Sequence, residues 1–279
     1  PWAASRVNQT MSLRGQLDAG YRVLDLRMRY NPASGTYGIA HENRVFGDFN
    51  ADGLTLIADW LDAHPTEGVI IRTRNEGSVD GWGDGVRDYL LSGPLSDKLI
   101  RDFDPEMTVG DLRGRVLVIS TDEYSGGPVG ARVRWGDATP FGLQPFVTSG
   151  GERGTVCFTD RYKRNSYRSP SRADKSADIL RVLDSAARRC ADGDFSCWHW
   201  TWLNVAGLGL GSPAKSTDVY TRLVADYIDR LQAGRYVPVG MVMCDWAGRS
   251  RQGTVRCAAA VIDNNFRASA SGSWPPRKY

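Results

Sequence analysis

With 279 residues, 41% of them hydrophobic and 24% charged, the chain has the makeup of an ordinary globular protein with a sizeable core, long enough for one large α/β barrel or two small domains. Its net charge of +3 and pI near 8.7 suit an anionic surface without selecting lipid over nucleic acid, and no Lys/Arg cluster resembles a polybasic tail. No apolar run reaches the ~18 residues of a membrane span, and residues 1–10 hold no apolar signal-peptide core, which reads as a mature, processed or truncated chain.

Residues 21–28 read as a strand carrying Val23, Leu24 and Leu26, and 36–40 as a short second strand, after which His41 opens a loop, Glu42-Asn43-Arg44. A helix is predicted over 52–63, where Leu54, Ile57, Ala58 and Leu61 fall at i, i+3, i+4 and i+7. His64-Pro65 ends it, because proline disfavours a helical residue before it. Strands follow at 69–73, 115–120, 155–160 and 198–205. The clearest helix is 217–233: Val219, Leu223, Tyr227 and Leu231 recur every four residues, and Gly234 suits the position after the cap. Residues 237–246 read as a last strand with a polar end, Cys244-Asp245-Trp246.

Alternating strands and helices argue for a mostly parallel sheet covered by helices. With about seven or eight strands, the leading fold is α/β, a single distorted TIM-type (β/α) barrel. A doubly wound open sheet is the alternative, but no Gly-rich phosphate turn follows an early strand. Gly/Ser-rich stretches at 125–130 and 207–212 read as loops, so residues 1–266 make up the barrel and 267–279 a Ser/Pro/Arg-rich tail.

None of the five cysteines forms a CxxC pair, which disfavours a zinc site. Cys190 and Cys197 flank a short polar loop, and Cys244 and Cys257 a Gly/Arg-rich stretch. Disulfides Cys190–Cys197 and Cys244–Cys257 in an oxidising compartment are expected, with reduced core thiols the alternative. Cys157 is then a free core thiol or the partner of a cysteine outside the chain.

There are three histidines. His64, before Pro65, suits a cap or the surface. In Trp198-His199-Trp200-Thr201-Trp202, alternation sets His199 opposite the three tryptophans. His41 follows a strand, where a barrel gathers its functional groups, with a solvated loop histidine as the alternative. Asp25 and Arg27 share one face of an otherwise apolar strand. Two such charges either pair structurally or serve a site. Arg72, Arg74 and Glu76 repeat the pattern, and Asp245 ends the last strand.

Residues 16–27, Gln-Leu-Asp-Ala-Gly-Tyr-Arg-Val-Leu-Asp-Leu-Arg, resemble the helix-to-strand segment of bacterial phosphatidylinositol-specific phospholipases C. So do His41 after the next short strand, the helix, proline turn and strand at 61–71, and the closing strand at 239–246. These anchors reach from near Leu13 to near Phe266, and the middle of the chain matches loosely. The resemblance implies attack of an inositol hydroxyl on the neighbouring phosphate. His41 matches the general acid that protonates the departing diacylglycerol oxygen. Arg27 matches the arginine that neutralises the transition state, Asp245 the carboxylate that orients the base histidine, and Asp25 an acidic neighbour. Arg74, Asp160 and Tyr162 fall where the family grips inositol hydroxyls. His41, Arg27, Asp25 and Asp245 are expected to converge at one mouth of the barrel. The base histidine belongs to a motif expected before Trp2, and Glu42 stands where the family usually has glycine.

In eukaryotic-type relatives, acidic residues on this strand bind calcium. Arg27 takes one of those positions, so no metal or other cofactor is expected, with calcium on Asp25, Glu42 and Glu76 as the alternative. The implied partner is a phospholipid at a membrane surface, met peripherally by a secreted, extracellular monomer, and not nucleic acid. A non-catalytic binder of lipid head groups or of a partner, and a metal-dependent glycerophosphodiester phosphodiesterase, are the competing readings.

Overall fold

The computed structural model describes residues 9–77, 82–134, 139–161, 172–204, 213–231, 236–245 and 252–270. The chain divides into two units, one of Leu13–Arg134 and Gln144–Gly154, the other of Pro1–Ser12, Trp135–Leu143 and Thr155–Tyr279.

In the first unit, α1 (Leu13–Asp18) leads into β1 (Val23–Asn31). Alternate residues of β1, Leu24, Leu26 and Met28, are buried in the core. Next come β2 (Thr36–His41) and β3 (Arg44–Asp48), an antiparallel hairpin on β1. The loop expected after His41 is therefore only the two-residue turn Glu42-Asn43, and His41 is the last residue of β2. The predicted helix splits. Residues Phe49–Thr55 form a π-helical turn, because the Asp48 carboxylate accepts the Asn50 and Ala51 amides and starts the coil early. Helix α2 (Leu56–Ala63) follows and buries Ile57, Ala58, Trp60 and Leu61. It ends at His64, as the proline rule requires.

Strands β4 (Val69–Asn75) and β5 (Val116–Ser120) bury five consecutive residues each, the mark of parallel strands covered on both faces. Helix α3 (Trp82–Ser92) lies between them in the chain. Strand β6 (Ala131–Arg132) pairs with β5, and Val147 of β7 (Gly142–Thr148) pairs with Arg132, giving the order β7-β6-β5-β4-β1-β2-β3.

In the second unit, β8 (Gly151–Thr159) pairs from Thr155 with β9 (Cys197–Trp202), and β9 with β10 (Met241–Met243), all parallel. Helices α4 (Arg172–Ala191), α5 (Pro213–Leu231) and α6 (Gln252–Ala270) complete it. Their core holds Ile179 and Leu183 of α4, Val224 and Ile228 of α5, and Cys257 of α6. The last strand is shorter than expected because Asn264 of α6 substitutes for a strand partner. Its side-chain amide exchanges two hydrogen bonds with the backbone of Val237, at 2.9 and 2.7 Å. Helix α6 runs through 267–270, and 271–279 lie outside the described residues.

The class is thus the expected mixed α/β with mainly parallel strands. The antiparallel β1-β2-β3 edge was not foreseen, and β3 and β10 each remain edge strands among the described residues. The expected disulfides are not formed. Cys197 bonds instead to Cys157, since β8 and β9 are neighbours that bring the two Cα atoms to 6.3 Å. Cys190 stays a thiol, and its flanking loop is closed by Asp194, whose amide donates to the Arg189 carbonyl and whose carboxylate accepts from the Ser196 amide. Cys257 is a buried thiol that burial pushes up to about 12. No helix among the described residues is long and apolar enough to cross a membrane.

Candidate active site

Two rungs of the β1–β4 ladder gather four charges. Parallel register sets Asp25 beside Arg72 and Arg27 beside Arg74. Alternation points all four away from the face that carries Leu24, Leu26, Val69 and Ile71 into the core. Asp25 Oδ2 accepts from Arg27 Nε at 3.0 Å, and Oδ1 from Arg72 Nη1 at 2.8 Å. Burial opposes the charge on Asp25, yet Arg27 and Arg72 outweigh it and hold the carboxyl at about 2. Arg27 Nη1 also donates to Glu76 Oε1 at 2.8 Å. The charge of Asp25, against burial, keeps Arg27 firmly protonated, and Glu76 adds to that. A guanidinium has five N–H donors, and among the described residues Arg27 uses two of them on protein acceptors.

Glu76 also holds the hairpin. Its Oε2 accepts the Glu42 amide at 2.8 Å, while Arg29 Nη1 donates to the carbonyls of Glu42 and Glu76 at 3.2 and 3.0 Å. His41, partly buried and paired with Arg44 across the hairpin, is thus adjacent in the chain to a residue anchored on the glutamate that grips Arg27. Glu42 has φ 55°, a left-handed conformation that crowds a Cβ. The glycine that the resemblance expects there has its physical reason in this backbone. Arg74 acts on Asp122, whose carboxyl burial raises while the Asn75 amide and then Arg74 pull it down.

The remaining expected residues belong to the second unit. Asp160 follows β8 and Asp245 follows β10, each beyond the C-terminal end of its strand. Both act on Lys175, which is 2% exposed. Its Nζ donates to the carbonyls of Arg161 at 3.0 Å and Asn204 at 2.6 Å and lies over the Tyr220 ring. Burial lowers the ammonium to about 8, against the charges of Asp160, Asp245 and Asp178. Tyr162 lies outside the described residues. Asp25 and Arg27 are therefore in contact, and His41 is linked to Arg27 through Glu42 and Glu76. Asp160 and Asp245 share a lysine in the other unit.

Lys175, the contact of Arg72 with Asp25 and the bridging role of Glu76 extend what the sequence offered. Lys175 had a signal that went unread: with Ile179, Val182, Leu183 and Ala186 it falls on the buried stripe of α4. Of the other histidines, His64 stacks on Trp60 and bonds its carbonyl at 2.7 Å, the expected cap-like role. His199 is buried, as expected on the face opposite the tryptophans, and Trp200 stacks with Trp202.

No protein-family model matches the chain. It is 39% identical over 85 residues to the PI-PLC X domain-containing protein 1 of Mus musculus, and 33% identical over 124 residues to that of Homo sapiens. Those segments are 30% and 43% of this chain but 24% and 38% of the relatives, so the chain matches well under half of their length. Two solved structures of the phosphatidylinositol-specific phospholipase C of Staphylococcus aureus match with TM-scores of 0.75 and 0.72, at 15% and 16% identity, over 94% and 92% of this chain and 85% of each of theirs. The protein from Listeria monocytogenes matches with a TM-score of 0.67 and 18% identity, over 92% of this chain and 85% of its own. Identities this low speak for fold. The resemblance read in residues 16–27 and 61–71 is met at that level, and the chain has the α/β fold of the bacterial phosphatidylinositol-specific phospholipases C.

Proposed function

We propose that the protein cleaves the phosphodiester of phosphatidylinositol, or of a related inositol phospholipid or glycolipid, and releases diacylglycerol. The observation that carries this reading is Arg27: two carboxylates fix its guanidinium, which is 21% exposed and uses two of its N–H groups on them. The remaining donors form a fork of the kind that matches phosphate oxygens. In this reading the inositol hydroxyl attacks phosphorus, and Arg27 neutralises the charge that builds on the phosphoryl oxygens. His41 gives its proton to the departing diacylglycerol oxygen. Asp25 and Glu76 hold Arg27 in place. Arg74 grips an inositol hydroxyl, while the resemblance alone gives such a task to Asp160 and Tyr162 and an orienting one to Asp245.

The charge balance favours an anion over calcium. All four carboxylate oxygens of Asp25 and Glu76 already accept from Arg27, Arg72 or the Glu42 amide. Two guanidinium groups, Arg27 and Arg72, are ion-paired with those two carboxylates, a donor set that does not fit a dication. We therefore take the reaction to need no metal. Its substrate is a phospholipid met peripherally at a membrane surface by a secreted monomer; the Cys157–Cys197 disulfide suits such a compartment.

The test uses the full-length protein on phosphatidylinositol vesicles. A chelator should leave turnover unchanged. Arg27→Lys keeps the charge but loses the fork and should lower turnover about 10²–10³-fold. His41→Ala should fall at least as far and recover in part on a substrate with a better leaving group, which needs less protonation. Abolition by chelator with rescue by calcium would overturn the role of Arg27. A folded protein without turnover on any inositol phosphodiester would favour a head-group binder.

A further inference from the structure

The helix-facing side of the β8–β9 ladder carries a cluster that the phosphodiesterase reading does not use. Parallel register sets Cys157 level with His199, and Cys197 two residues before His199 projects from the same face. The two sulfurs and an imidazole nitrogen all lie within 4.8 Å of one another, and the three residues are buried, at 1%, 6% and 7% exposure. Ser185 reaches them from α4. Its Oγ is 3.1 Å from His199 Nε2 and 4.0 Å from Cys157 Sγ. Among the described residues no other group of three metal-ligating side chains is so close.

A disulfide alone gives no reason for a histidine at this point. An imidazole buried between a sheet and a helix displaces apolar packing and must find partners. Two thiolates and an imidazole in one small space are the donors that a borderline-soft d¹⁰ cation selects. Tetrahedral zinc, with Zn–S of about 2.3 Å and Zn–N of about 2.0 Å, sets its ligand atoms roughly 3.5–3.8 Å apart. That spacing lies inside the span of the cluster, and the Ser185 hydroxyl stands ready as a fourth ligand or as the partner that orients the ring.

We propose that the protein has a second, reduced state in which Cys157, Cys197 and His199 bind one zinc ion. A dithiol gives two electrons and two protons to the disulfide, leaving two thiols and becoming a disulfide itself. Zinc then displaces a proton from each thiol and takes the imidazole as its third ligand. The same two strands are thus cross-linked by a covalent bond where the surroundings oxidise and by a metal where they reduce.

The experiment reduces the complete protein with a phosphine under nitrogen, removes the reductant and titrates with Co²⁺ as the probe, then with Zn²⁺. A thiolate-to-cobalt charge-transfer band should saturate at one equivalent and be displaced by zinc. Without reduction the band should be absent. Cys157→Ser and Cys197→Ser should each abolish it, His199→Asn should weaken cobalt binding at least tenfold, and Cys190→Ser with Cys257→Ser should leave it intact. Far-ultraviolet circular dichroism confirms the fold of each variant. A reduced, folded protein without the band, a band that survives either loss of Cys157 or Cys197, or a reduced protein that unfolds with zinc present would each overturn the proposal.

Discussion

At the scale of single residues, charge and backbone geometry decide the site. Asp25 and Arg27 were legible because two charges on one face of an apolar strand must pair or work. The structure has them do the first with each other, and for Arg27 it leaves donors over for the second. Glu76 was visible as part of a second charged strand face and as an alternative calcium ligand, but not as a bridge, since its two side-chain contacts, to Arg27 and to the Glu42 amide, join segments 34 or more residues apart that no local pattern links. Glu42 makes the clearest prediction. Its left-handed φ of 55° costs a side chain roughly 1–2 kcal/mol, and the hydrogen bond to Glu76 uses only its backbone. Glu42→Gly should be neutral to about 1 kcal/mol more stable in urea titrations, part of the relief being offset by the freer unfolded chain. Glu42→Val should lose about 1–2 kcal/mol, because a β-branched residue is an outlier at positive φ. Equal stability of the two variants would contradict the backbone argument.

Among elements, periodicity found what one apolar face defines and missed what a distant partner defines. Strands β1, β4 and β5 were read correctly from their apolar runs, and helix α5 was found, but its buried stripe is Tyr220, Val224, Tyr227 and Ile228, while Val219 and Leu223 are partly buried and Leu231 is exposed. The β3 edge was read as loop because Arg44, Val45 and Phe46 are all exposed and carry no alternation. The start of the last strand was misjudged because Asn264, on a helix with no sequence signal recognised beforehand, takes the place of a neighbour at Val237. Helix α4 hides its lysine in the same way. Burial lowers Lys175 to about 8 from 10.5, so between these values the unfolded chain binds the proton that the folded one has released. Stability should therefore rise as pH climbs from 8 to 10.5, by at most about 1.4 kcal/mol per unit for this one group. Lys175→Met should flatten that rise in thermal denaturation followed from pH 7.5 to 10. A slope as steep as that of the parent protein would show that the ammonium is not the group responsible.

For the whole molecule, the sequence yielded class and family resemblance, while the division into units was hidden because it follows contacts rather than chain order. The segment Gln144–Gly154 returns to the first unit after an excursion, and it brings Phe146, fully buried and 4.7 Å from the Phe103 ring. Phe146→Ala should cost about 3–5 kcal/mol in chemical denaturation, far more than its place in a weakly patterned strand suggests; a loss under 1 kcal/mol would mean that the return segment contributes little. The interleaving also bears on inheritance. The chain passes from one unit to the other after Ser12, Arg134, Leu143 and Gly154, so no single crossover between two genes can exchange either unit intact. Chimaeras of this protein with a homologue should survive when breakpoints at all four crossings exchange a complete unit and fail when a single breakpoint splits one. Lineages that shuffle domains freely should have passed this one on as an indivisible whole.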